Sequence, residues 1–423
     1  MLLYRIALWL AFPLVWLYLL KRSRKQPEYR LNWAERLGYY SVDIIQSNLH
    51  GDTRPIWLHA VSVGEMRAAQ PIIRALQQRY PTIPLLLTCM TPTGRATAHE
   101  LYGAASGINA TIVFLPYDYP SAIRRFLQRF NPRLGLIIDT EIWPYCISKC
   151  QRAGIPLVLA NARMSQKSLN GYLKIAPLFR RVMPKFAAVL AQTQQDAARL
   201  TQMGAKDVKV MGNVKFDNQL DPLLIAQGHA WKNNLARKTL LLASSRDGEE
   251  ALVLQALGAL PADTLLIIVP RHPQRFDAVA ALLESKGLSY IRRSHWQGEA
   301  LTQQVLLGDS MGEMVAWYSA ADVTIMGGSI LKFGSQNLIE AAACGSPVII
   351  GPSTYNFAQA SSEAIAAGAA WQGEDATAVC ADALRVLNDP ARQQQMGQAG
   401  VAFSLAHRGA TEKLLQTVKV WIQ

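Results

Sequence analysis

Short apolar, strand-like runs alternate with stretches of helical spacing along this chain, and they do so in two series. PIWLHA, PLLLTCM, TIVFLP, LGLIIDTE, PLVLAN and AAVLAQT form the first series, with KVMGN as a short seventh run. Between them, 66–79, 93–102, 120–130 and 194–203 have helical spacing. Such runs read as strands buried on both faces, and β-α alternation builds a parallel, doubly wound sheet. Residues 218–236 are polar and contain no strong strand, so they read as a linker. The pattern then restarts with TLLLASS, TLLIIVP, LSYIRR, QVLLGD, ADVTIMGG, SPVIIGP and AAWQG, with helical stretches at 249–258, 274–286, 311–320 and 336–344. The expected fold is therefore α/β: two Rossmann-like, doubly wound domains facing a central cleft. No repeat of about 20–50 residues is visible, which excludes a solenoid.

The 423 residues are too many for one ordinary core and agree with two domains. The expected division is an anchor at 1–20, a first Rossmann-like domain at 33–217, the linker at 218–236, a second Rossmann-like domain at 237–405 and a C-terminal helix at 406–423. The five cysteines, at 89, 146, 150, 344 and 380, form no C-x-x-C and have no histidine at zinc spacing. They read as buried thiols in a reducing compartment, not as a disulfide framework.

The first twenty residues, MLLYRIALWLAFPLVWLYLL, raise the question of a membrane. The uninterrupted apolar run after Arg5 is 15 residues, short for a span, although 1–20 together suffice to cross. KRSRK follows in place of a small-residue cleavage site, which argues against a cleaved signal peptide. That basic flank puts the body of the chain in the cytoplasm, and Tyr4, Trp9, Trp16 and Tyr18 suit an interface. The expectation is an N-terminal anchor, spanning or embedded, at the inner leaflet. The β-α pattern begins only near residue 54, so deletion of 1–20 is expected to leave a folded protein. The other reading is a core helix with an aromatic face.

The net charge of +13 implies an anionic partner. From Ile142 to Gln195 there is no Asp or Glu, while Lys149, Arg152, Arg163, Lys167, Lys174, Arg180, Arg181 and Lys185 all fall inside. No nucleic-acid motif accompanies them, so an anionic lipid or sugar is preferred over nucleic acid; a solvated basic face is the plain alternative.

Two motifs carry chemistry. HAVSVGE at 59–65 ends with Gly64 and Glu65 at the turn from a strand into a helix. A carboxylate there either answers the helix dipole or occupies the ligand-binding end of an α/β sheet. ADVTIMGGSILKFGSQNLIEAAACGSPVIIGP at 321–352 runs from a strand through Gly327-Gly328 and a glycine-bearing loop into a helix opening near Gln336 or Asn337. Glycines let backbone approach a phosphate, and Glu340 lies where a carboxylate accepts from ribose hydroxyls or merely caps the helix. The glycine spacing fits neither G-x-G-x-x-G nor a Walker A loop. His59 and His272 beside these motifs read as structural hydrogen-bonders. Without a D-x-D pair, a metal-dependent nucleotide-sugar site of that type is not supported, and no metal or cofactor is expected.

Gly-Gly, Gly, Asn, Glu, Ala, Gly-x-Pro-Val and Gly-Pro, in this order, resemble the donor-nucleotide site of GT-B glycosyltransferases. More closely, HAVSVGE, TPTGRA, LPYDYP, DTEIWP, ANARMS, GNVKFD, VPRHPQRF, GDSMGEM, NLIEAAA and GPSTYNF, colinear over roughly 33–357, resemble the 3-deoxy-D-manno-octulosonic acid (Kdo) transferases of lipopolysaccharide assembly. The resemblance implies CMP-Kdo as donor substrate and a phosphorylated lipid A precursor as acceptor. It places the general base at Glu65, and transition-state stabilisation at Glu141 and Lys215. CMP contacts fall on Pro270 and Arg271, on Met311, Gly312 and Glu313, and on Asn337, Leu338, Ile339 and Glu340. From the residues alone, Glu141 also reads as the partner of a neighbouring base, and Lys215 as a surface residue. The chain departs from the family pattern at Arg246, Phe333, Ser335 and Ser353, which bears on the geometry of the donor loop. Two alternatives remain at this level: a UDP-sugar transferase or nucleotide-sugar 2-epimerase on the same fold, and an inactive lipid- or partner-binding protein.

Overall fold

The structure, a computed structural model, describes residues 2–24, 26–41 and 54–422. Met1 of the expected anchor, Lys25 of the basic connector, 42–53 of the first domain and Gln423 of the last helix lie outside the described residues. The chain forms two compact units, Met1–Asn218 with Arg408–Gln423, and Gln219–His407.

All fourteen strand-like runs are strands. In the first unit they are β1 (Ile56–His59), β2 (Leu85–Cys89), β3 (Ala110–Phe114), β4 (Leu134–Ile138), β5 (Leu157–Ala162), β6 (Ala188–Ala191) and β7 (Val208–Val210). They pair in the order β3-β2-β1-β4-β5-β6-β7, every pair parallel. Successive side chains serve opposite faces: Ile56 and Leu58 join one core and Trp57 the other. This is why the run is apolar without alternation. The strand order reverses between β1 and β4, and ligands of open α/β sheets bind outside the carboxyl ends of strands at such a reversal.

The second unit repeats the plan with β8 (Lys238–Ser245), β9 (Thr264–Pro270), β10 (Tyr290–Arg292), β11 (Val305–Leu307), β12 (Val323–Met326), β13 (Val348–Ile350) and β14 (Ala370–Gln372). Their order is β10-β11-β9-β8-β12-β13-β14, again all parallel. Here the reversal falls between β8 and β12.

Three segments differ from a reading by pattern alone. Residues 222–235 of the polar stretch form a helix, capped by the Asp221 side chain on Leu223 N. It belongs to the second unit, where Trp231 packs on Trp317 and Trp296 with ring centroids 4.5 Å and 5.4 Å away. Only Gly228, Trp231 and Leu235 of it are buried, a stripe too narrow to announce itself as periodicity. The C-terminal helix Ala410–Ile422 returns to the first unit and packs Leu414, Leu415, Val418 and Ile422 into its core. Asp217 receives it, accepting from Gly409 N and Thr411 N.

The third is the N-terminal helix, Leu2–Ser23. Among the described residues it is the one helix long and apolar enough, by length and composition, to cross a membrane. It is also attached along one side to the first unit. Tyr4 donates to Asp118 Oδ2 at 2.9 Å, and the Tyr119 hydroxyl donates to Leu8 O at 3.0 Å. Phe12 and Trp9 both meet the Tyr119 ring, and Trp16 meets Trp33 at 4.2 Å. Leu19 and Ser23 are buried, whereas Ile6, Leu10, Leu14 and Leu17 are exposed on another face. The helix is therefore apolar on both faces, one packed and one bare. A truncation at residue 20 uncovers Tyr119 and Trp33, which the strand pattern near residue 54 does not register.

Candidate active site

The loops after β1 and β4, neighbouring strands at the reversal, bring three carboxylates together. Ser62 caps the helix Val63–Ala68, its hydroxyl accepting from Glu65 N, and the Glu65 carboxylate accepts from Val61 N at 2.5 Å. Glu65 is thus the third helical residue, its side chain reaching back as in a capping box. After β4 the chain turns through Asp139, whose φ of 59° is left-handed, then Thr140 and Glu141. Arg163 N donates to Thr140 Oγ1 at 3.2 Å, fixing the loop to the end of β5.

The electrostatics of this cluster are unfavourable to charge. Burial, then the negative charge of Asp139, raises the Glu65 pKa above the ordinary carboxylate range. Burial, then the Glu65 charge, pushes Glu141 up to about 7. Desolvation and like charge both favour the neutral acid, and carboxyls raised in this way are suited to proton transfer. Glu65 is at once cap and titratable acid; the two readings of a carboxylate after Ser-Val-Gly are compatible.

Lys215 stands in the short 3-10 turn Val214–Asp217 that follows β7. Asn161, at the end of β5 with φ 55°, ties this turn to the acidic loop. Its side-chain Nδ2 donates to Asp139 Oδ1 at 2.7 Å, and its side-chain Oδ1 accepts from Val214 N at 3.2 Å. Asp139 and Asn161 were not singled out from sequence. The signal was present as polar residues closing the apolar runs in LGLIIDTE and PLVLAN. His59 is fully buried, shares a 2.9 Å hydrogen bond with Thr88, and is held neutral by burial at a pKa of about 3. It is structural, as expected.

In the second unit the named residues gather at the carboxyl ends of β9, β11 and β12. Pro270 ends β9, and Arg271 is exposed, with its N–H donating to Ser245 O at 3.0 Å. Met311 and Gly312 lie exposed beyond β11. Glu313 is engaged internally, by Arg293 at 2.9 Å and by the Ser310 hydroxyl. Asn337 caps the helix Leu338–Ala343 through Ile339 N and donates to Glu340 Oε1 at 3.1 Å. Leu338 and Ile339 are buried in the core.

Gly327 has a packing role in addition to any ligand role: a Cβ there would lie 2.5 Å from Ser244 O, where β12 runs beside β8. Gly328 has φ 70°, a left-handed turn that favours glycine. The loop behind it is organised by a residue that pattern reading passed over. The buried Glu249 carboxylate accepts from Gly328 N at 2.6 Å, Arg246 N at 2.9 Å, Ile330 N at 3.0 Å and Leu331 N at 3.2 Å. Its neighbour Glu250 accepts from Nη1 and Nη2 of the Arg275 guanidinium. Two acids directly after an apolar strand, DGEE after TLLLASS, were the available signal.

The departures cluster here. Arg246 lies over the Phe333 ring at 4.8 Å and its Nη1 is 3.2 Å from His272 Nε2. Ser335 has φ 69° and is buried, and Ser353 Oγ accepts from Gly334 N at 3.0 Å. Arg246 and Phe333 thus depart together and touch. Cys89, Cys146, Cys150 and Cys380 are buried thiols, and Cys344 is partly exposed. Among the described residues no three His, Cys, Asp or Glu side chains form a group able to hold a metal ion.

Comparison with known proteins adds the family. The family model of 3-deoxy-D-manno-octulosonic-acid transferase (kdotransferase) matches residues 31–218. A curated 3-deoxy-D-manno-octulosonic acid transferase of Bordetella pertussis is 43% identical over 428 residues, covering 99% of each chain. That of Haemophilus influenzae is 33% identical, over 97% of this chain and 96% of its own. Among solved structures, Anabaena Alr3699/HepE in complex with UDP aligns with a TM-score of 0.59 over 87% of this chain and 100% of that one, at 14% identity. UDP-GlcNAc 2-epimerase from Neisseria meningitidis bound to UDP-GlcNAc aligns at 0.58, over 86% and 99%, at 15% identity. At such identity these two inform the fold alone, which is GT-B. The near-full-length identity to curated transferases is of another order, and by it the chain belongs to the 3-deoxy-D-manno-octulosonic acid transferase family, glycosyltransferases of lipopolysaccharide biosynthesis.

Proposed function

We propose that this enzyme transfers Kdo from CMP-Kdo to a hydroxyl of a phosphorylated lipid A precursor, lipid IVA, with inversion. The acceptor oxygen attacks the anomeric carbon as the bond from that carbon to the phosphate oxygen of CMP breaks. CMP leaves with the bonding electrons, and the acceptor proton passes to Glu65. The observation that carries this reading is the neighbouring pair Glu65 and Glu141, two acids of raised pKa at the strand-order reversal of the first sheet. A carboxylate whose pKa is raised by burial and like charge is a competent general base.

In this reading Glu141 and Lys215 stabilise the transition state, the lysine offsetting negative charge on the departing phosphate or the Kdo carboxylate. Arg271 and Glu340 engage CMP through side chains. Pro270, Asn337, Leu338 and Ile339 border it, while Met311, Gly312 and Glu313 complete its surround, Glu313 by its main chain since its carboxylate is occupied. The N-terminal helix attaches the enzyme to the cytoplasmic face of the cell inner membrane. Its bare apolar stripe and the exposed Arg152, Arg163, Lys167, Lys174, Arg180 and Arg181 draw it to an anionic lipid surface.

The test is mass spectrometry of the product formed by purified enzyme from CMP-Kdo and lipid IVA. A mass increase of one or more Kdo units is expected, and unchanged lipid overturns the reading. Thermal stabilisation by UDP in preference to CMP would favour the UDP-sugar alternative instead.

A further inference from the structure

The N-terminal helix reaches the acidic loop through one buried side chain. Asp118, in the LPYDYP run after β3, is 1% exposed. Its Oδ2 accepts from Tyr145 N at 2.8 Å, and its Oδ1 from Cys146 N at 2.7 Å. Both N–H groups belong to the first turn of the helix Pro144–Arg152, whose own N-cap residue, Trp143, supplies no side-chain cap. Asp118 therefore caps that helix from a distant part of the sequence, meeting orphan donors that a buried helix start otherwise leaves unpaired. The third partner of the carboxylate is the Tyr4 hydroxyl, and the Tyr4 ring lies 5.6 Å from that of Tyr145.

Glu141 lies three residues before Pro144. Its loop is held at one end by β4, paired on both sides within the sheet, and at the other by the start of this helix. A shift of the helix start is thus passed directly to Glu141.

We propose that Asp118 is a positioning residue for Glu141, and that docking of the N-terminal helix through Tyr4 completes it, so that seating of the membrane-directed helix sets the geometry of the acidic pair. The proposal rests on the transferase reading above and deepens it. The device needs no new chemistry: Tyr4 and Asp118 touch neither donor nor acceptor. Full activity is reached only when the apolar helix is seated on the first unit.

The test compares full-length wild type, Tyr4→Phe, Asp118→Asn and Asp118→Glu in detergent with CMP-Kdo and lipid IVA, so that wild-type turnover separates a failure of the function from a failure of this proposal. A displaced catalytic group costs up to about a hundredfold in rate, so kcat of Asp118→Asn should fall by about ten- to a hundredfold and that of Tyr4→Phe by a smaller factor. KM for CMP-Kdo and CMP affinity should hold in both, and Asp118→Glu should recover part of the loss. The discriminating readout is the carboxyl carbon resonance of Glu141, whose titration midpoint should move in both variants and not in a remote control such as Lys413→Ala. If Asp118→Asn does not fold, Tyr4→Phe decides alone, since it removes one oxygen and keeps the ring. Wild-type kcat together with an unmoved Glu141 titration in Tyr4→Phe overturns the proposal.

Discussion

The two sheets share a topology and carry opposite electrostatics at their carboxyl ends. In the first, Glu65, Asp139 and Glu141 converge, and the titration of Glu141 is pushed up to about 7 by burial and then by its neighbours' charge. In the second, three acids are engaged within the fold: Glu249 by four backbone N–H groups, Glu250 by Arg275 and Glu313 by Arg293. Arg246, Arg271 and Arg275 gather beside His272. His272 is pushed below the ordinary histidine range by burial and then by the charges of Arg246, Arg271 and Arg275. One sheet end thus raises the proton affinity of an acid, as a base for a hydroxyl requires, and the other favours an anion. The same backbone plan serves both because its strand ends accept any side chain that the following loop supplies.

The contrast breaks most severely at Glu65. In Glu65→Gln, transfer should fall by roughly 10²–10⁴-fold, the usual worth of a general base, with CMP affinity nearly unchanged. A rate above about a tenth of wild type would leave Glu65 as a cap only. The same variant sharpens the comparison, since loss of the Glu65 charge should lower the Glu141 titration midpoint toward the ordinary carboxylate range.

Next in size is Glu249→Ala. It strands buried backbone donors around Gly328, each costing on the order of 1–3 kcal/mol. Calorimetry should show a lowered melting transition of the second unit, with CMP binding lost. A variant as stable as wild type would remove Glu249 as the organiser of that loop.

Arg271→Ala and Glu340→Ala come third. A charge-assisted hydrogen bond contributes on the order of 1.5–3 kcal/mol, so each should raise the CMP dissociation constant by roughly ten- to a hundredfold. Unaltered titrations in both would take the second unit out of the donor role.

The smallest effect is expected from Asp139→Asn. Its amide oxygen still accepts from Asn161, but a negative charge beside Glu65 and Glu141 is gone. Because that charge raises both pKa values, its loss lowers them, and the acid limb of the pH–rate profile should move to lower pH. A profile that stays in place, or moves upward, would separate Asp139 from the acidic pair.

Much of this was legible in the chain itself. Most of the strands could be read because a strand buried on both faces must be apolar throughout, and that requirement is local; the edge strands β7, β10 and β14 are only partly buried and were read from their place in the alternation. Glu65 stood out because it sits at the turn from such a strand into a helix, and Glu141 through the family resemblance of its DTEIWP run. Arg271 stood out because it directly follows the apolar strand that ends at Pro270. The helix 222–235 was not legible, since three buried residues in fourteen leave no clear period, and its Trp231 finds its partners some sixty to ninety residues away. Asp118 was equally hidden: an acid in a loop between two tyrosines resembles any solvated turn until the helix start it caps is brought to it.

By itself, then, the sequence determined the two parallel sheets, the acids and arginines at their carboxyl ends and an apolar first helix, because periodicity and the residue after a strand are properties of neighbours along the chain. Tertiary structure alone decided that Glu65 and Glu141 share a field, that Glu249 holds the glycine loop, that the last helix closes the first core and that Tyr4 reaches Asp118. Those depend on strand order and on which buried donors lack a partner, and both arise only when segments far apart in sequence are packed together.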